Sequence, residues 1–195
     1  MLTDLRAALR PALVFTAGFA LLLGVAYPLA LTGVGQLVFP HQANGSLIVD
    51  HGKVVGSELI GQSFASDRYF HGRPSAAGSG GYDATASSGS NYGPTSKALV
   101  DRVKGDVAKL SAQSPGSVLP PDLATASASG LDPDISPEAA FFQASRVAKA
   151  RAMPAERVRQ IVQAHVEQPV PSFLGDAHVN VLRLNRALDA ETAKP

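Results

Sequence analysis

The chain has no cysteine among its 195 residues. That excludes disulfides, haem thiolates and cysteine-ligated zinc, and it suits an exported domain as well as a cytosolic one. Charge of one sign is also missing. The formal net charge is +1 and only 17% of residues are charged. A nucleic-acid binder would carry a basic patch, and none is evident. Signatures of catalysis are absent too: there is no GxxxxGK(S/T) phosphate loop, no HExxH and no GxSxG. Gly78-Ser79-Gly80-Gly81 lacks the last glycine of GxGxxG and follows no clear strand. The five histidines, His41, His51, His71, His165 and His178, show no metal-ligand spacing. Asp132, Asp134, Ser136 and Glu138 alternate as in a calcium loop, but Pro133 and Pro137 interrupt them and the sixth-position glycine is lacking. Helix capping accounts for them better. Neither a metal nor a tightly bound cofactor is expected, and a free-standing enzyme is improbable.

What the chain does have is one long uncharged stretch, Pro11 to Pro40, after Arg6 and Arg10. Its apolar heart, residues 12–35, makes a helix of roughly 36 Å, enough to cross a ~30 Å hydrocarbon core with some tilt. Leu13, Val14, Phe15, Phe19, Leu21, Leu22, Leu23, Val25, Leu29 and Leu31 together favour insertion by about 3–6 kcal/mol. A cleaved export signal is the competing reading. The apolar region is too long for one, and Tyr27-Pro28-Leu29-Ala30-Leu31 offers no good cleavage site. A retained transmembrane helix is therefore expected over 12–35. Arg6, Arg10 and the terminal amine precede it, and no Lys or Arg follows until Lys53. The positive-inside rule then puts a short N-terminus, 1–11, in the cytoplasm and the rest of the chain outside.

Thr16, Ala20 and Gly24 recur every four residues and give the span a face of small side chains, on which another transmembrane helix can pack. Pro28 removes a backbone donor and is expected to kink the helix. The remainder, residues 41–195, is long enough for one cored domain. Residues 46–49 and 53–55 flank Asp50-His51-Gly52 and predict a β-hairpin, with Leu59-Ile60 extending its second strand. Residues 72–94 are rich in Gly, Ser and Ala and read as a loop, either a plain linker or an ordered binding loop. Leu99, Val103, Val107 and Leu110 have helical spacing after Thr95 or Ser96 as N-cap. Ser136 before Pro137 starts another helix, running to about Arg151. Pro154 starts a third, with Val158, Ile161, Val162 and Val166 inward. Residues 179–184 suggest a final strand, with Asn185 capping a short C-terminal helix. The fold class is α+β: one N-terminal transmembrane helix followed by a single mixed α+β extracytoplasmic domain.

Several stretches taken together resemble a known family. They are Phe39-Pro40 with Ala43-Asn44-Gly45-Ser46, residues 56–62, YFHGRPSA at 69–76, Ser88-Gly89-Ser90-Asn91, DLATASASGLDPDISP at 122–137, residues 146–151 and residues 179–182. The chain is similar to the C subunit of the Kdp-type potassium-transporting ATPase of bacteria and archaea, over nearly its whole length. One local departure is Ser88-Gly89-Ser90-Asn91, where the family usually has a Gly-Gly pair. The resemblance implies an accessory subunit in the inner (plasma) membrane, since the chain has no DKTG phosphorylation motif, no TVGYG-like filter and one span. Implied partners are a channel-like potassium-translocating subunit, a P-type ATPase subunit, a small membrane subunit of the same complex and the lipid bilayer. The family is described as a catalytic chaperone that raises the ATPase chain's affinity for ATP. Two alternatives stay open: a module that contacts ATP directly, and an outer cap on potassium entry. For a nucleotide, Ser88, Gly89, Ser90 and Asn91 are the candidate contacts, because a glycine-bearing loop lets backbone N–H groups approach oxygens. Arg73 is a candidate anion or partner contact, or else half of a structural ion pair.

Overall fold

The computed structural model describes residues 2–171 and 173–192. The chain falls into two compact units, Met1–Leu47 and Ile48–Pro195. The first is built on a continuous helical stretch: α1 (Leu2–Leu21), a π-helical turn (Leu22–Ala26) and α2 (Tyr27–Val38). The helix therefore extends beyond the expected 12–35 at both ends. Residues Thr3–Val38 form the one described helix that is long and apolar enough to cross a membrane, and its most apolar window is entirely unburied. Phe15, Leu29 and the neighbouring large side chains face outward all round. Such a helix needs an apolar solvent or a partner.

Pro28 follows directly on a π-helical turn, Leu22–Ala26. Proline has no N–H to give the carbonyl four residues back, and its ring crowds that carbonyl. The helix widens there, and the Tyr27 N–H reaches five residues back to the Leu22 carbonyl. A π turn of this kind absorbs the defect without exposing much backbone. After it, α3 (Pro40–Ala43) closes the unit. Asn44 holds the end through Nδ2, which donates to the Pro40 carbonyl at 2.6 Å and to Gln36 Oε1 at 3.1 Å.

The second unit opens with the hairpin β1 (Leu47–Asp50) and β2 (Lys53–Ser57). His51 at φ 46° and Gly52 at φ 78° make the two-residue turn that twists with the strands. Leu59-Ile60 does not continue β2. The Ser57 hydroxyl accepts from Leu59 N at 3.1 Å, and this local turn diverts the chain. Residues 58–96 contain no helix or strand. Then come α4 (Lys97–Gln113), a 3₁₀ turn (Pro121–Leu123), β3 (Asp134–Ile135), α5 (Pro137–Arg151), α6 (Ala155–Ala164), β4 (Val166–Glu167), β5 (His178–Asn180) and α7 (Val181–Thr192).

Helix α5 starts where its sequence says it should. The Ser136 hydroxyl accepts from Ala139 N at 3.0 Å, with Pro137 at the first helical position. Antiparallel strands β3, β5 and β4 form one small sheet, with Ile135 opposite Val179 and Val166 opposite Val179 on the other side. The core sits where α5, α6, α7 and this sheet meet, on Ala144, Val147, Val158, Val162, Val179, Leu184 and Leu188.

Three expectations about the C-terminal third are corrected here. Val166 packs against the core, but from strand β4, because α6 ends at Ala164. The expected strand over 179–184 stops at Asn180 and becomes α7. Val181, Leu184 and Leu188 share a helical face that buries against the core, and this outweighs the short run of alternation. The cap is Asn180, whose Oδ1 accepts from Arg183 N at 3.1 Å, while Asn185 lies buried inside the helix.

Candidate functional site

The segment Ser66–Asn91 has no regular structure, so its backbone groups need partners from elsewhere. They come from side chains on the helices. Asn185 on α7 is 1% exposed. Its Oδ1 accepts from Phe70 N at 2.8 Å and its Nδ2 donates to Phe70 O at 2.9 Å. Gln143 on α5 does the same one residue later: Oε1 accepts from His71 N at 2.8 Å and Nε2 donates to His71 O at 3.0 Å. Each amide side chain thus imitates a neighbouring β-strand. Arg146 adds donors to the carbonyls of Asp67 (2.7 Å) and Tyr69 (3.0 Å), and Arg151 Nε donates to Arg68 O at 2.6 Å. Arg151 is in turn fixed by Asp189 at 2.8 Å and lies over the Tyr69 ring, 5.0 Å from its centroid.

The next stretch, residues 72–94, is an ordered layer laced to residues 125–132. The Ser75 hydroxyl is a hub: it donates to Gly130 O at 2.6 Å and accepts from Tyr82 N at 2.7 Å and Ala77 N at 3.2 Å. Tyr82 drives its ring between two glycines. A Cβ on Gly72 would lie 2.4 Å from the Tyr82 hydroxyl, and one on Gly61 would lie 2.8 Å from the ring and 2.4 Å from the Asp132 carbonyl. The phenol donates to Arg73 O at 2.6 Å. Burial first, and the Asp132 carboxylate second, push its pKa up to about 12. Gly130, at φ 67°, has Ala77 N and Ser88 O on the side where a Cβ would point, both 2.7 Å away. Only glycine fits such a position.

Arg73 is ion-paired within the fold and only partly exposed. Nη1 pairs with Asp132 at 3.1 Å, and the other nitrogens reach Thr125 O and Oγ1 at 3.4 Å and Ala126 O at 3.5 Å. The same carboxylate's other oxygen accepts from Asp134 N at 3.1 Å, a local turn ahead of β3 rather than a helix cap; of the alternating residues, Ser136 is the one that caps α5. Ser88, Gly89, Ser90 and Asn91 lie together on the rim of this layer. Ser88 N donates to Ser129 O at 3.0 Å and its hydroxyl to Gly89 O at 3.0 Å. Gly89 backs onto the Ala128 carbonyl. Asn91 is exposed at φ 53°. An oxyanion would therefore find the Ser88 donors committed within the fold. Ser90 and Asn91 take no part in these bonds, and Gly89 enters them only through its carbonyl.

A cleft of about 310 Å³ opens between His71, Gly72 and Pro74 on one side and Asp106, Lys109, Leu110 and Gln113 of α4 on the other. Burial first, and Arg146 second, push the His71 ring's pKa down, against the pull of the Ser66 carbonyl and Asp67. Its Nε2 lies 3.1 Å from Ser66 O. Helix α4 buries no residue fully, so this wall is loosely held. A second polar cluster binds the hairpin end to the sheet. Arg183 bridges Glu58 at 2.5 Å and Glu167 at 2.8 Å, and Asn180 Nδ2 donates to Glu58 O and Asp134 Oδ1. Burial pushes the Asp134 carboxyl above its usual range, partly offset by His178 and Asn180.

On the helical unit, Thr16, Ala20 and Gly24 are all exposed. Gly24 lies within the π turn, and nothing comes within 4 Å of where its Cβ would stand. The small-residue face is open. Sequence reasoning placed Asn185 as a helix cap and did not reveal the backbone-clamping roles of Asn185, Gln143, Arg146 and Arg151. The available signal was a polar side chain at a core-facing helical position.

Fold and site together define a class: a helix of membrane-spanning length, followed by one α+β domain stitched by side-chain-to-backbone bonds. A family model described as K+-transporting ATPase, c chain, matches residues 9–190. The chain belongs to that family. It is 62% identical over 183 residues to the potassium-transporting ATPase KdpC subunit of Caulobacter vibrioides strain NA1000, covering 93% of this chain and 92% of that one. It is 55% identical over 192 residues to the subunit of the same name from Rhodopseudomonas palustris strain CGA009, covering 93% and 96%. The Bradyrhizobium diazoefficiens subunit of that name is 55% identical over 197 residues, covering 95% and 98%.

Proposed function

We propose that this chain is the non-catalytic accessory subunit of an ATP-driven potassium-uptake complex. It anchors in the inner membrane by one span, N-terminus inside, with its α+β domain outside. It stabilises the assembly with the channel-like, P-type ATPase and small membrane subunits, and it raises the ATPase subunit's affinity for ATP as a catalytic chaperone. The observation that carries this reading is the pairing of an unburied span-length helix with a domain whose polar groups are spent on its own backbone. Such a domain is built to hold a shape rather than to perform chemistry.

With the domain outside and ATP inside, the effect on ATP affinity is a coupling through the conformation of the complex. Couplings of this kind are typically about 1–3 kcal/mol, or roughly 5–150-fold in affinity. Direct contact with ATP through residues 88–91 is less well supported, since Ser88 has given its donors to Ser129 and Gly89. The test compares complexes with and without this chain. ATPase activity is titrated with ATP in both, and the chain-free complex should need at least about fivefold more ATP for half-saturation. Equal half-saturation in an intact chain-free complex would remove the chaperone role.

A further inference from the structure

The connection between β4 and β5 ends in an apolar tip that no described residue of the domain covers. Val170 is 94% exposed, Phe173 81% and Leu174 67%. Scattered exposed apolar side chains are ordinary, but three large ones within five residues are not. Described contacts tie its two sides together. Leu174 N donates to Pro171 O at 3.0 Å, and Pro169 and Pro171 restrict the backbone. The loop's two ends approach where Gly175 meets Pro169, a Cβ there being 3.7 Å from the Pro169 Cβ. Its base is the β4–β5 ladder, Val166 opposite Val179 and Glu167 opposite His178, rooted in the core. An apolar anchor on a rigid stem loses little entropy on docking.

The charges around the tip choose between a bilayer and a protein. Loops that sit in a membrane interface carry Lys or Arg, whose stems lie along the acyl chains and whose heads meet anionic lipid. Here there is no Lys or Arg from residue 160 to residue 182, and the charged side chains flanking the tip are Glu167 and Asp176. Glu167 is held by Arg183, while Asp176 stands exposed beside the apolar group. An anionic headgroup layer would repel this rim. An apolar protein pocket edged with basic side chains would accept it, and aromatic anchors are favoured at the centre of such interfaces.

We infer that Val170, Phe173 and Leu174 form a plug that docks the domain into an apolar, basic-rimmed socket on another subunit of the transport complex. The inference rests on the accessory-subunit reading. Burying a phenylalanine is worth enough to change affinity roughly 10- to 100-fold.

The test uses the full chain co-expressed with the other pump subunits. A photo-crosslinking benzoyl-phenylalanine replaces Phe173 in one version. In a control it replaces Val118, which is 92% exposed elsewhere on the domain. Illumination at position 173 is expected to join the chain to one pump subunit, identified by mass spectrometry, with none joined from position 118. Phe173→Asp should cut recovery of the other subunits about tenfold or more, Val118→Asp should not, and both should keep the wild-type unfolding temperature. If wild type recovers the complex but position 173 joins only lipid, or Phe173→Asp recovers it fully, the plug is refuted and the accessory role stands. Failure of the wild-type chain to recover any pump subunit would refute the accessory role and the plug with it.

Discussion

Replacing Asn185 with leucine should be the most damaging single change of nearly constant volume in the domain. Asn185 is 1% exposed, and its amide satisfies both the N–H and the carbonyl of Phe70, at 2.8 and 2.9 Å. Phe70 is itself completely buried, so water cannot replace the lost partners. Leucine fills the space but leaves two buried backbone groups unpaired, at about 1–3 kcal/mol each. The expected loss is roughly 2–6 kcal/mol, large against the ~5–15 kcal/mol total of ordinary domains. The matching change at Gln143 should cost less, because His71 lies nearer the surface and can recruit water. Urea unfolding of the detergent-solubilised chain, followed by circular dichroism, gives the stabilities. Hydrogen exchange on peptides spanning 66–74 gives the local effect: the Phe70 amide should lose protection in Asn185→Leu while α6 keeps more of its own. A variant within 0.5 kcal/mol of wild type, with Phe70 still protected, would show that the amide clamp contributes nothing net; ~0.5 kcal/mol is the ordinary scatter of surface substitutions.

Gly61→Ala should destabilise by about 1–3 kcal/mol, because its Cβ would meet the Asp132 carbonyl at 2.4 Å and the Tyr82 ring at 2.8 Å; thermal unfolding against wild type measures it, and an unchanged midpoint would contradict the packing described. Stability should also fall as the solution is acidified through the ordinary histidine range. The His71 pKa is lowered in the fold, chiefly by burial, so below the unfolded value near 6.5 the unfolded chain binds the proton more readily. The loss levels off below the folded pKa, and His71→Gln should flatten the stability profile between pH 7 and pH 5; an unaltered profile would assign the acid sensitivity elsewhere. Gly24→Leu adds bulk to an open helix face, so it should leave domain unfolding unchanged yet reduce recovery of the membrane complex. Normal co-purification of that variant would count against helix docking at this face.

Much of the architecture was legible because its signals are local. The hairpin turn at His51-Gly52, the cap at Ser136-Pro137 and the helix register of Val158, Ile161 and Val162 each lie within a few residues of sequence. The strand expected over 179–184 failed for the same reason. Alternation over six residues cannot reveal that Leu184 and Leu188 share a buried face, or that the Asn180 side chain turns to cap Arg183 N. Residues 72–94 could be read only as a loop, because their order comes from Ser75, Tyr82 and Gly130 meeting across about 50 residues. Arg73 was legible as a paired cation, but its partner Asp132 was not. The amide clamps are the deepest omission: Asn185 and Phe70 are 115 residues apart, and no spacing rule links them.

That separation orders events in time. The chain emerges from the ribosome N-terminus first, and Phe70 leaves long before Asn185. Until α7 has formed, the Phe70 N–H and carbonyl have only water to bond, and Arg151 lacks Asp189. The middle of the domain therefore closes only once α7 is available to it. Residues 58–96 have no helix or strand of their own, so their order depends on partners such as α7. A polypeptide with that schedule keeps its middle segment open until α7 has formed, which makes the clamp on Phe70 one of the last contacts to close.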